Sequence, residues 1–152
     1  MPLAWELKAF ADLTPDALYD LLQLRSLVFV VEQTCVFLDP DGEKDKVAWH
    51  LLGRDANGRV VAYTRLLAAG VAYDEPSIGR VVTHPDVRRT GAGRELMAES
   101  LRRCRDLFGD VPIRIGAQRY LERFYGSFGF VPAGAPYDED GIPHIHMLRA
   151  RG

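Results

Sequence analysis

The stretch from Ser77 to Phe108 constrains the fold most. A strand-like segment, Ser77 to Thr83, stops at Pro85. A glycine-punctuated turn, Arg88-Arg89-Thr90-Gly91-Ala92-Gly93-Arg94, follows, and then Leu96, Met97, Ser100, Leu101, Cys104, Leu107 and Phe108 recur every three or four residues. That spacing predicts a helix with one buried face, leaving Arg94, Glu95, Glu99, Arg102, Arg103 and Asp106 toward water. Glycines let a ligand approach the main chain, and consecutive N–H groups at a helix start hold a phosphate without any obligatory charged side chain. The turn lacks the Gly-Lys-Ser/Thr of a nucleotide-triphosphate loop, and Leu96 stands where a dinucleotide fingerprint has its third glycine. Taken alone, Gly-x-Gly fits an ordinary strand-to-helix turn equally well.

Around this centre the chain alternates between the two periods. Leu3 to Phe10 reads as a strand, and Thr14-Pro15 supplies an N-cap and a first-turn proline for a helix carrying Leu18, Leu21, Leu22, Val28 and Phe29, fading near Val31. Asp39 to Lys46 reads as a loop. Val47 to Arg54 and Arg59 to Leu67 read as strands joined by a tight Asn57-Gly58 hairpin. Beyond the central helix, Gly109-Asp110 is a stop, Val111 to Gly116 a strand, Tyr120 to Phe128 a short helix ended by Gly129, and Phe130 and Ile142 to Leu148 the last strands. The order β-α-β-β-β-α-β-α-β-β predicts one α/β domain over residues 1–152, with helices on both faces of its sheet.

Lys and Arg number 19 against 21 Asp and Glu, too balanced for a protein whose affinity comes from neutralising nucleic-acid phosphates. No segment reaches the roughly 18 apolar residues of a membrane span, and the start has neither the basic nor the apolar region of a signal peptide, so a cytoplasmic location is expected. Cys35 and Cys104 lie far apart without a Cys-x-x-Cys, and are expected as two buried thiols. Asp39-x-Asp41-Gly42 places its glycine too early for a calcium loop and reads as a turn. His144-x-His146 shows no third ligand, so no metal is expected.

The spacing Arg88-x-x-Gly91-x-Gly93, opening the helix after the fourth strand, resembles the acetyl-CoA pyrophosphate loop of the GNAT acyltransferases. Phe124-Tyr125-x-x-x-Gly129-Phe130 resembles the end of the last helix in the same family. The resemblance narrows to the ElaA-like branch and covers nearly the whole chain. It runs through Leu24-Arg25-x-x-Val28-Phe29-Val30-Val31-Glu32-Gln33-x-Cys35, Asp39-x-Asp41-Gly42 with Asp45 and His50, Ile78-Gly79-Arg80-Val81, and Tyr137-x-Glu139-Asp140-Gly141-Ile142-Pro143-His144-x-x-Met147. It implies a mixed, mostly antiparallel sheet whose fourth and fifth strands splay. It also implies acetyl-CoA as cosubstrate, an amine acceptor, and a possible homodimer. The implied cosubstrate contacts are the main chain of Val81, Val82 and Thr83 for the pantetheine arm, the loop Arg88, Arg89, Thr90, Gly91, Ala92, Gly93 and Arg94 for the diphosphate, and Phe124 and Gln118. Gln118 stands where many members have asparagine, and Leu121 replaces a common alanine.

Acetyl transfer from a thioester to an amine needs a neutral amine, donors aimed at the thioester oxygen, and a proton for the departing thiolate. Tyr125 is the candidate acid, because a phenol near pKa 10 is protonated at neutral pH; its periodicity equally fits a core tyrosine. Glu32 and His144 are the candidate bases, with His50 third. Glu32 interrupts an apolar run, and also fits an exposed charge at a helix end; His144 also fits a hydrogen-bonded strand residue. Arg25 and Arg80 are expected to pair with Glu32 or with the acidic tail at Glu139-Asp140. The reading is direct acetyl transfer in a ternary complex; the alternative is an acyl-CoA-binding or sensing module without catalysis.

Overall fold

The computed structural model describes residues 3–151. Strand β1 (Ala4–Ala9) leads to helix α1 (Pro15–Arg25), where Thr14 caps the first turn by accepting from the Ala17 amide at 3.1 Å. The helix continues as a π-helical turn, Ser26–Glu32, whose wider bonds carry Gln33 N–H to Val28 C=O and Cys35 N–H to Val30 C=O. Helix α2 (Glu43–Val47) precedes β2 (Trp49–Arg54), β3 (Val60–Leu67) and β4 (Ser77–Thr83). Helix α3 (Ala92–Phe108), β5 (Ile113–Gln118), α4 (Glu122–Gly126), β6 (Phe130–Pro132), β7 (Tyr137–Glu139) and β8 (Ile142–Arg149) complete the chain.

The strands form two antiparallel sheets, β1-β2-β3-β4 and β5-β8-β6 with β7 also on β8, rather than one mixed sheet. The β4–β5 junction carries one backbone bond, Arg114 N–H to Pro76 C=O at 3.0 Å, and then the strands part. One face is covered by α1, with Ala17, Leu21, Leu24 and Val28 packed on Leu52, Val60, Tyr63 and Val82. The other carries α3 and α4, whose Met97, Cys104 and Tyr125 join Ile115, Ile145 and Met147. Being covered on both sides, β3 is buried along its whole length.

Several expectations are corrected. The buried line of α1 and its π-helical continuation keeps Leu21 and Val28 of the expected set, with Leu22 and Phe29 half-buried against it, and adds Ala17, Leu24 and the charged Arg25. The segment expected as a loop contains α2, because its Asp45 is drawn inward by distant arginines. Glu99 is nine-tenths covered, beneath Arg102 and Arg103. The hairpin is not a two-residue turn: Asp55 C=O accepts from Gly58 N–H, the Asp55 carboxylate takes the amides of Asn57 and Arg59, and of the central pair only Gly58 adopts positive φ. Strand β7 was not expected at all.

Candidate functional site

The parting of β4 from β5 opens a cleft of about 900 Å³. A β-bulge in β4 widens it. Opposite β3 the register passes from Val82 to Gly79 while only Thr64 is skipped, so Arg80 and Val81 occupy the space of one residue. Arg80 takes φ +50°, a left-handed conformation that costs a non-glycine residue energy and is found where surrounding structure enforces it. Val81, Val82 and Thr83 line the cleft, and the main-chain groups on their β5 side have no ladder partner.

At one end the cleft meets the start of α3. The turn before it needs positive φ at Arg89 (+64°) and Gly91 (+88°). No side chain caps the 17-residue helix, so the amides of Ala92, Gly93 and Arg94 have no intrahelical acceptor and face outward with the helix dipole behind them. Thr90 donates to the Val87 carbonyl, and Arg94 lies 4.8 Å over the Phe128 ring and donates to Ser127 Oγ. A Cβ on Gly91 would meet nothing within 4 Å, and one on Gly93 only Phe124 Cζ at 3.9 Å. The loop is therefore open to an approaching diphosphate, and the wedge beyond it to an extended arm.

Tyr125, on α4, lines the same cleft while 5% exposed. Burial, with a smaller contribution from the charge of Tyr120, pushes its phenol above the usual value, so it keeps its proton throughout the physiological range. Phe124 meets Tyr125 and Phe128 edge-on at the cleft wall. His144, on β8 opposite Gln118, also lines the cleft. Its Nδ1 lies 2.7 Å from the Ile142 carbonyl, which can only accept, so Nδ1 carries the proton and Nε2 is the basic nitrogen. Nε2 lies 3.5 Å from Glu139 Oε2, and the Tyr137 ring sits beside the imidazole at 5.7 Å. Burial, with the nearby Tyr73 and Glu139 charges, pushes the Tyr137 phenol up to about 12.

Glu32 lines the cleft but is held in a fork by Arg88, with Nη1 to Oε2 at 2.8 Å and Nη2 to Oε1 at 2.6 Å; the same Nη2 donates to Thr83 C=O. The Arg88 hydrogen bonds and charge outweigh partial desolvation and hold its carboxyl below the ordinary range. Gln118 and Gln33 exchange amide hydrogen bonds across the cleft at 3.0 and 3.2 Å. His50 lies outside the cleft, between the Tyr63 hydroxyl and the Asp45 carbonyl, and burial drives its pKa down.

Arg25 and Arg80 pair neither with Glu32 nor with the acidic tail. Fully buried Arg25 donates to Asp39 and in a fork to Asp45, Arg65 reaches Asp41 and Asp45, and Arg80 lies 2.9 Å from Asp39 Oδ1, off the line of an N–H···O bond. Burial opposes the charges, yet the two arginines hold the Asp45 carboxyl at about 2. Three aspartates thus balance three guanidiniums beneath the bulge. Sequence reading found the Asp39, Asp41 and Asp45 pattern but not its partners, and missed Glu139 beside His144. The Tyr137–Glu139 alternation just before the Asp140-Gly141 turn was the available signal for the latter.

The family described as "Acetyltransferase (GNAT) domain" matches residues 42–150. Protein ElaA of Escherichia coli is 42% identical over 149 residues, covering 97% of this chain and 96% of its own. Among solved structures, an acyl-CoA N-acyltransferase from Pseudomonas aeruginosa superposes with a TM-score of 0.91 at 43% identity, covering 97% of this chain and 99% of the other. The crystal structure of Escherichia coli ElaA gives 0.89 at 41% identity with the same coverage.

Proposed function

Because the chain belongs to the GNAT acetyltransferase family, in its ElaA-like branch, we propose that it moves an acetyl group from acetyl-CoA directly to an amine bound in the same cleft. The observation that carries this reading is the arrangement of one continuous opening. Gly93 at the uncapped start of α3, the β4 residues Val81, Val82 and Thr83 that have no ladder partner on β5, Tyr125 and His144 all line it.

The amides from Arg89 to Arg94 hold the diphosphate, where an anion meets both free N–H groups and the positive helix end. The main chain of Val81, Val82 and Thr83 pairs with the pantetheine arm, and one N–H of that stretch polarises the thioester oxygen. His144 Nε2 accepts a proton from the acceptor ammonium, directly or through water, freeing the nitrogen lone pair to form the C–N bond. As the C–S bond breaks, Tyr125 donates its proton to the thiolate, the excess proton on the acylated nitrogen restores the phenol through water, and the proton taken up by His144 leaves to solvent with the products. We assign the base role to His144 over Glu32, since a carboxylate forked onto Arg88 and held below its usual range is a poor proton acceptor.

The test is purified protein with acetyl-CoA and a panel of small amines, polyamines and peptides, followed by thiol release and by mass spectrometry of acetylated product. Transfer to one acceptor class supports the reading. Saturable acetyl-CoA binding with no product across the panel would instead favour a binding or sensing module.

A further inference from the structure

Glu32 and Arg88 are separated by 56 residues, yet they meet at the place where the diphosphate loop begins. The position of Glu32 is fixed on its C-terminal side. Gln33 is tied to Gln118 by the amide exchange, and the Cys35 thiol donates to the Asp140 carbonyl at 3.2 Å. The backbone of Glu32 is therefore anchored at the cleft wall, and both terminal nitrogens of Arg88 point at its carboxylate. That guanidinium edge cannot serve a carboxylate and a phosphate together. The pair is also easily exchanged, since the two side chains are 39% and 38% exposed and a released carboxylate returns to water at little cost.

We propose that Glu32 is a placeholder for the diphosphate of acyl-CoA: it holds Arg88 at the loop before α3 and competes with the incoming phosphates for it. This rests on the acetyl-CoA reading of the same cleft. Glu32 then sets the affinity and salt dependence of cosubstrate binding and takes no proton in the reaction.

The experiment is calorimetric titration of acetyl-CoA, and of acetyl-pantetheine, which lacks the diphosphate, into wild type, Glu32→Gln, Asp86→Asn, Arg88→Gln and the Glu32→Gln/Arg88→Gln double variant. Asp86 offers a comparable charge two residues from Arg88, but paired with Arg59. Glu32→Gln is expected to bind acetyl-CoA about two- to fivefold more tightly than wild type, the range set by an exposed ion pair. The gain should vanish with acetyl-pantetheine and in the Arg88→Gln background, and should be absent in Asp86→Asn. Equal or weaker binding by Glu32→Gln, a gain shared by acetyl-pantetheine or Asp86→Asn, or a gain that survives loss of Arg88 overturns the inference. So does a hundredfold fall in turnover at unchanged acetyl-CoA affinity, which would make Glu32 the base. If wild type binds no acetyl-CoA, the cosubstrate reading itself falls and takes this inference with it; wild-type binding without the variant pattern removes the inference alone.

Discussion

Replacing Asp45 by asparagine keeps the shape of the side chain and removes its charge from the centre of the buried cluster. Its carboxylate accepts from Arg25 at 2.8 and 3.2 Å, from Arg65 at 3.1 Å and from the Asp41 amide at 3.3 Å. Asparagine can offer one oxygen to these donors and turns an N–H₂ toward a guanidinium that is 0% exposed. Breaking a buried pair from one side costs about 3–5 kcal/mol, because the remaining charge is left uncompensated. The depressed pKa gives the same order by another route. A carboxyl at about 2 in the folded chain, against 3.8 as its ordinary value, contributes about 2 kcal/mol at neutral pH. Since the folded pKa is the lower one, this contribution is complete above about pH 4 and is lost as pH falls toward 2. Thermal unfolding followed by circular dichroism should show Asp45→Asn melting about 10 °C below wild type at pH 7, with the gap narrowing near pH 3 and smallest toward pH 2. The exposed control Asp86→Asn should shift by no more than about 2 °C. A drop at pH 7 as small as the control's, or a gap indifferent to pH, would refute the ion-pair account of the cluster beneath the bulge.

Other outcomes follow from the same geometry. Tyr125→Phe should lower kcat by about 10²- to 10⁴-fold with acetyl-CoA affinity unchanged, measured by single-turnover kinetics beside direct titration; equal rates would remove its role. His144→Gln should lower kcat/KM for the amine by about 10²-fold and leave acetyl-CoA binding alone, and an unaffected rate would return the base to another group. Burial pushes the Cys104 thiol up to about 12, so iodoacetamide at pH 7 should leave it unmodified in the native protein, checked by peptide mass mapping; rapid labelling would contradict its place in the core.

The parts of this molecule legible in the sequence are those governed by local period. The stripe of α3 and the extent of β4 were read directly, because apolar spacing and the bounding Pro85 and Gly109 act within a few residues. Helix α2 was hidden because its five residues are nearly all charged, and what holds it is Arg25, Arg65 and His50 from elsewhere in the chain. The π-helical turn was hidden because its apolar run continues the α1 pattern without a proline or glycine to mark the change. Strand β7 is three residues in a tract rich in proline, glycine and aspartate, and it exists because β8 supplies its ladder. The site divides in the same way. Gly91, Gly93 and Tyr125 carried local signatures. The fork of Arg88 on Glu32 arises from folding across 56 residues and has no local pattern, whereas Glu139 beside His144 left only the short alternation before the Asp140-Gly141 turn.

The proposed transfer requires acyl-CoA to lie in the opening between β4 and β5, continued by the start of α3. Titrating acetyl-CoA into isotopically labelled protein and following backbone amide resonances locates it. Saturable shifts should concentrate at Arg89 to Arg94 and at Val81 to Thr83, with the far strand β1 unmoved. Saturation with the largest shifts elsewhere, or no saturable change at those amides, would contradict it.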